Sequence, residues 1–71
     1  MPEDIQFLLT EEFIELYKLL KITGLAESGA DGKYFVSEGR VRVNGALEKR
    51  KAFKVRSGMR VELDGQAIQI K

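Results

Sequence analysis

Arg40, Arg42, Lys49, Arg50 and Lys51 fall within one short stretch of this chain, and together they are suited to holding phosphate. Arg40 and Arg42 alternate with Val41 and Val43, so a strand here would send valines to one face and arginines to the other. Asn44-Gly45 follows at once. It is the strongest short-range signal for a two-residue hairpin, because that turn needs positive φ at both positions. The returning strand then leads into Lys49, Arg50 and Lys51. Arginine's planar fork also matches phosphate geometry better than a lysine ammonium does. Weighed against an ordinary solvated face, five cations on a hairpin and its exit read as an electrostatic footprint for nucleic acid. Lys54, Arg56 and Arg60 either extend that patch or lie on another face.

A second candidate anion site precedes the hairpin. The Ser28 hydroxyl can accept from the amide of Asp31, and Asp31 can reach back, a capping box with Asp in place of the usual Glu. The helix so started would present unpaired amides near Gly29, Ala30 and Asp31, where glycine permits close approach of a phosphate. The Asp31 carboxylate competes for the same place. Lys33 lies one turn further on, off the Phe35/Val36 stripe, and is therefore expected at the surface beside the glycines. Tyr34 is also off the stripe, which makes it the one aromatic placed to stack on a base. Phe7, Phe13, Tyr17, Phe35 and Phe53 fall on apolar stripes and read as core.

These side chains need a frame, and the remaining pattern supplies one. Ile5, Phe7 and Leu9 alternate as a short strand within 4–9. Thr10 can cap a first helix over about 11–22, with Glu11 and Glu12 complementing its dipole. Phe13, Leu16, Tyr17 and Leu20 form its apolar stripe, and Gly24 closes it. The second helix, about 29–38, buries Gly32, Phe35 and Val36 and ends at Gly39. Gly29 and Gly32 each weaken it by about 1 kcal/mol relative to alanine, which makes sense if another backbone or a ligand comes close. Phe53 and Val55, then Arg60–Leu63, then Ala67–Ile70 read as strands, separated by the turns Ser57-Gly58 and Asp64-Gly65. The expected class is α+β, with both helices packed on one face of a small, mostly antiparallel twisted sheet.

Size and composition bound the rest. The chain has 71 residues, enough for a single domain over 1–71 whose core alone gives a net stability of roughly 3–5 kcal/mol. It contains no cysteine and no histidine, which excludes a disulfide staple, a Cys/His zinc site and the usual acid–base and thiol chemistry. No phosphate-cradling Gly-rich loop or metal-ligand set is present, so neither catalysis nor a cofactor is expected. Met1-Pro2-Glu3-Asp4 begins acidic and the apolar runs are short, so neither a signal peptide nor a membrane span is read and the cytoplasm is expected. Net charge is +1. Its distribution is lopsided: residues 1–31 carry seven acids against Lys18 and Lys21, and residues 32–71 carry ten bases against four acids. Such asymmetry hints at an anionic partner for the basic half.

Between Leu16 and Leu63 the residues also resemble a known family. Leu19-Leu20-Lys21, Gly24-Leu25-Ala26-Glu27-Ser28, the run from Val36 to Gly45 and Val55-Arg56-Ser57-Gly58-Met59 are similar to the αL RNA-binding domain of ribosomal protein S-four. That module also occurs in pseudouridine synthases, tyrosyl-tRNA synthetases and a heat-shock ribosome-rescue protein. Glu27–Lys33 followed by Glu38-Gly39 resembles its small free-standing bacterial branch. The resemblance implies that the N-terminal end of the second helix and the following hairpin grip RNA. Carried over by position, it implicates Ser28, Gly29, Lys33, Arg42, Asn44, Lys49, Arg50 and Lys51. Two departures stand out. Gly29 replaces an arginine common in members with a catalytic partner domain. Gly32 replaces an alanine, which is expected to loosen the second helix without altering its docking.

The reading is therefore a monomeric RNA-binding module for ribosomal or other structured RNA, with Arg40 joining the residues just named. A rival is a protein-interaction adaptor using the acidic first helix through Glu11, Glu12 and Glu15. A ubiquitin-like carrier is disfavoured, because the chain ends Gln69-Ile70-Lys71 and has no Gly-Gly tail.

Overall fold

The computed structural model describes residues 4–71; the acidic start at Met1–Glu3 lies outside the described residues. Among the described residues nine elements follow one another: β1 (Ile5–Phe7), β2 (Ile14–Glu15), α1 (Leu16–Ile22), α2 (Gly29–Ser37), β3 (Val41–Val43), β4 (Ala46–Leu47), β5 (Lys54–Val55), β6 (Arg60–Leu63) and β7 (Gln66–Ile70). The main sheet has the order β1-β7-β6-β3-β4, and β2 pairs separately with β5. Among the described residues only β1 against β7 runs parallel, with Ile5 opposite Ile68 and Phe7 opposite Ile70. The class is α+β, as the sequence pattern implies.

Two tight turns set the register of the main sheet. Asn44 (φ 52°) and Gly45 (φ 83°) join β3 to β4, and Asp64 (φ 49°) and Gly65 (φ 83°) join β6 to β7. Both pairs have the double positive φ that matches the twist of adjacent strands. With register fixed, alternation sorts the faces. Val41, Val43, Val61, Leu63, Ile68 and Ile70 meet Leu16, Leu19, Leu20, Ala26 and Val36 in one core. Fully burying each large aliphatic chain there contributes about 1.5–3 kcal/mol before the entropy cost of ordering it. The residues between them (Arg42 on β3, Glu62 on β6, Gln69 on β7) face away from the helices.

The first helix is shorter than its apolar stripe implies. Residues 11–13 are not helical, and Thr10 caps nothing. Ile14 and Glu15 instead pair antiparallel with Val55 and Lys54. The helix starts at Leu16, where the Glu15 side chain makes no capping bond. Its first amides are satisfied by distant backbone: Leu16 N–H donates to Phe53 O at 2.9 Å and Tyr17 N–H to Lys51 O at 3.1 Å. Carbonyls of the segment leading into β5 thus replace the local cap that Thr10 could have provided.

Gly32 also differs from expectation. A β-carbon at that position would lie 2.6 Å from the Tyr17 carbonyl oxygen, so the bare α-carbon is what lets α2 approach the α1 backbone. Alanine there would change the docking of the two helices.

Candidate nucleic-acid interface

The start of α2 is built as the sequence suggests, with one bond fewer. Ser28 is extended (φ −150°, ψ 169°), and its hydroxyl accepts from Asp31 N–H at 3.1 Å. Among the described residues no return bond runs from the Asp31 carboxylate to the Ser28 amide, consistent with Asp being one methylene shorter than the usual Glu. The cap serves the third amide of the helix. Those of Gly29 and Ala30 remain without an intrahelical acceptor and carry the positive end of the helix dipole.

Tyr17 occupies the centre of this region. The Lys33 ammonium stands 4.7 Å from its ring centroid, and Lys18 approaches the same ring at 5.9 Å. A β-carbon on Gly29 would touch the ring at 3.7 Å. Since Tyr17 N–H also bonds Lys51 O, one half-buried aromatic ties the first turn of α2 to the segment leaving β4. Lys18 is engaged by Glu15 at 2.9 Å, and that hydrogen bond holds its pKa above the ordinary lysine value. Sequence reasoning placed Tyr17 wholly in the core. A stripe position cannot distinguish a buried ring from one lying along the rim, although the nearby Lys18, Gly29 and Gly32 were the available signal.

Lys49 and Arg50 precede Lys51 in the chain. The Lys49 stem lies against Gly39, at the far end of α2, where an added β-carbon would come within 3.4 Å of Lys49 Cε. Arg50 is held by Glu48 through Nε at 2.9 Å and Nη2 at 3.1 Å, and Glu48 also accepts from Arg50 N–H at 3.0 Å. These bonds favour both ionised forms. They hold the Glu48 carboxyl below the usual range, chiefly through the Arg50 side chain, and raise Arg50. The guanidinium lies 5.0 Å from the centroid of the half-buried Phe53 ring.

The two strand arginines go elsewhere. Arg42 projects from the sheet face opposite the helices, directly across from Glu62 on β6. Arg40 leads into β3, pairs with Asp64 and lies over the Phe35 ring at 4.4 Å. Asn44 is committed to the hairpin itself, since its Oδ1 accepts from Arg60 N–H at 2.9 Å. Arg60 in turn pairs with Asp4. Lys54 and Arg56 lie near Phe13, at 5.0 and 5.7 Å from its centroid, and Arg56 meets Glu12 at 3.3 Å. The structure thus brings Gly29, next to the Ser28 cap, the Lys33 ammonium and the Lys51 carbonyl to Tyr17, while Lys49 lies against Gly39 at the other end of α2 and Arg50 over Phe53. It separates Arg40 and Arg42 from them and leaves Asn44 at the hairpin tip.

Comparison with known proteins identifies the family to which this fold belongs. The model of the S4 domain family matches residues 7–71. The protein of Escherichia coli K12 named "Putative RNA-binding protein YbcJ" is 44% identical over 57 residues, covering 80% of this chain and 81% of that protein. YbcJ of Shigella flexneri matches with the same identity and coverage. The solution structure of E. coli YbcJ, described as revealing an αL motif involved in RNA binding, superposes with a TM-score of 0.75 at 39% identity. That match covers 99% of this chain and 90% of the other. A family match over nearly the whole length, a relative at this identity and a common fold place the chain in one family: it belongs to the S4 domain proteins.

Proposed function

We propose that this protein binds structured RNA, ribosomal or other, as a cytoplasmic monomer without catalysing a reaction on it. The observation that carries the reading is the cluster around Tyr17. There the capped start of α2, the Lys33 ammonium and the Lys51 backbone meet, and Lys49 and Arg50 precede Lys51 in the chain. Among the described residues Lys33, Lys49 and Lys51 have no ion-pair partner, so their charge is available to an anion. The names given to the YbcJ proteins and the αL motif of the solved relative support RNA as that anion. Spaced cations and helix amides read phosphate position rather than base identity, so selectivity rests on RNA shape.

A salt titration tests the reading, with a hairpin RNA and the equivalent duplex DNA as ligands. Each phosphate neutralised contributes about −0.7 to −0.9 to the slope of log affinity against log salt. Lys33→Ala and Lys51→Ala should each weaken binding to every RNA and flatten that slope by about one unit. Absence of binding at low salt, or binding indifferent to both substitutions, would overturn the reading. The acidic segment of Glu11, Glu12 and Glu15 would then be the surface to probe for a protein partner.

A further inference from the structure

Beside the phosphate-binding edge lies an open groove of about 560 Å³, lined by Arg50, Ala52, Phe53, Lys54, Arg56 and Met59. Its volume falls in the range of small-ligand sites. The floor is apolar and soft: the exposed face of Phe53, the Met59 thioether and the Ala52 methyl. Its rim carries three cations, and none of the six lining residues is acidic. Glu48 and Glu12 touch it only from outside, each already bonded to an arginine of the rim. Lys54 has no ion-pair partner among the described residues and stands over the Phe13 ring.

The state of Arg50 is informative. A surface arginine ordinarily loses side-chain entropy if it is to offer a fixed plane. Here Glu48 grips one edge of the guanidinium through two bonds, and the backbone amide beside it through a third, and Cζ stands 5.0 Å from the Phe53 ring centroid. Flat guanidinium and aromatic surfaces are what splayed-out bases stack upon, and cations a few ångströms away suit the flanking phosphates. A fully paired helix offers no free base to such a groove. A bulged or terminal nucleotide does.

We infer that this groove receives one unpaired nucleobase of the bound RNA, stacked on the Arg50–Phe53 pair, with Lys54 and Arg56 on the adjoining phosphates. The inference rests on the RNA-binding reading and adds a base-accepting pocket to a surface otherwise limited to backbone contacts. Arg50 has a double role in it, and Glu48 is its positioning residue.

The experiment compares two ligands on the full chain: a hairpin RNA with a perfectly paired stem and the same hairpin with one bulged purine. The bulged RNA should bind about tenfold tighter, the order contributed by one stacked base. On its addition the Met59 methyl signal should move upfield in the NMR spectrum through the ring current of the base, and remain in place with the paired hairpin. Ala52→Leu, at an exposed position, fills the groove without touching the core and should abolish the tenfold preference while sparing affinity for the paired stem. Lys33→Ala should weaken both complexes alike and leave the ratio intact. Equal affinity for the two hairpins with the Met59 signal unmoved overturns the groove and leaves the phosphate surface standing. A preference that survives Ala52→Leu places the base elsewhere and also overturns it. Failure of both RNAs to bind at low salt removes the groove and the RNA reading together.

Discussion

The outer face of the sheet and the edge where the helices meet the 49–51 segment are both rich in cations, yet they use them differently. On the sheet face Arg60 pairs with Asp4, Arg40 pairs with Asp64, and Arg42 stands across from Glu62. Arg40 and Arg60 thus have aspartate partners, and Arg42 faces Glu62 across the strands without an ion pair, so solvent screens much of the attraction in each case. On the helix edge Lys33, Lys49 and Lys51 project from a helix surface and an irregular segment, where no strand neighbour supplies an acid. The contrast shows that a count of basic residues overstates a binding surface. Among the described residues Lys33, Lys49 and Lys51 have no ion-pair partner, and neither do Lys54 beside Phe13 and Arg42 on the sheet face.

The widest separation of the two regions should come from charge removal. Replacing Lys33, Lys49 and Lys51 together by alanine should lower affinity for a hairpin RNA by about a hundredfold or more at low salt and reduce the salt slope by nearly three units. Replacing Arg40 and Arg60 by glutamine should change the slope by less than one unit, because each is already neutralised by an aspartate. A salt titration of both variants decides the matter. Equal losses would mean that the sheet face also contacts RNA, as the alternation of Arg40 and Arg42 first suggested.

A second test acts on the geometry of the edge. Gly32→Ala adds a β-carbon where the Tyr17 carbonyl oxygen is 2.6 Å away, so α1 and α2 must separate. Alanine gains about 1 kcal/mol in helix propensity, and overpacking against backbone costs about 1–3 kcal/mol. A net loss of about 1 kcal/mol is expected in urea denaturation, with weakened RNA binding because Tyr17, Lys33 and Lys51 move relative to one another. The outer face, built on strands, should be unaffected. Unchanged or increased stability would show that the helices have slack.

Features of short range were legible in the sequence, and those that depend on distant partners were not. Asn44-Gly45 announces a turn because two adjacent residues must both take positive φ, and the structure has that turn. Ser28 announces a cap for the same local reason. Gly32 signalled a close approach without naming Tyr17 as what approaches. The start of α1 was misplaced because Phe13 continues the helical stripe, and only the pairing of Ile14 with Val55 removes it from the helix. Arginine alternation gave the face of Arg42 but not the neighbour across from it, Glu62 on β6. For the proposed binding surface, Lys33 and Lys51 were identifiable as exposed bases, and Tyr17, whose ring meets Lys33 and whose N–H bonds Lys51 O, was not.

A smaller effect should follow from the hairpin tip. Asn44 combines φ of 52° with a bond from its Oδ1 to Arg60 N–H, so Asn44→Ala loses a favoured left-handed residue and an anchor to β6. The loss should be about 1–2 kcal/mol in urea unfolding. RNA affinity at a temperature where both proteins are folded should change by less than threefold. A larger fall in affinity at constant fold would place the tip in the interface and extend the binding edge across the hairpin.

The subtlest comparison uses pH. Asp64 is held below the ordinary carboxylate range by its hydrogen bond from Arg40, Asp4 by that from Arg60, and Glu48 by that from Arg50. A depressed native pKa means that the ionised pair stabilises the fold above the unfolded pKa, about 4, and is lost as pH falls through the lower native value. Both regions therefore contribute to acid destabilisation, in unequal measure. The Glu48 side chain is 13% exposed and accepts three bonds from Arg50, whereas that of Asp64 is 51% exposed and screened by water. Glu48→Gln should flatten the decline of stability below pH 5 more than Asp64→Asn does, as read from urea midpoints across the acid range. Added salt should erase the Asp64 contribution first, since exposed pairs are screened most. If the two variants flatten the curve equally in low salt, Glu48 holds Arg50 no more firmly than Asp64 holds Arg40, and the fixed guanidinium plane beside Phe53 loses its physical basis.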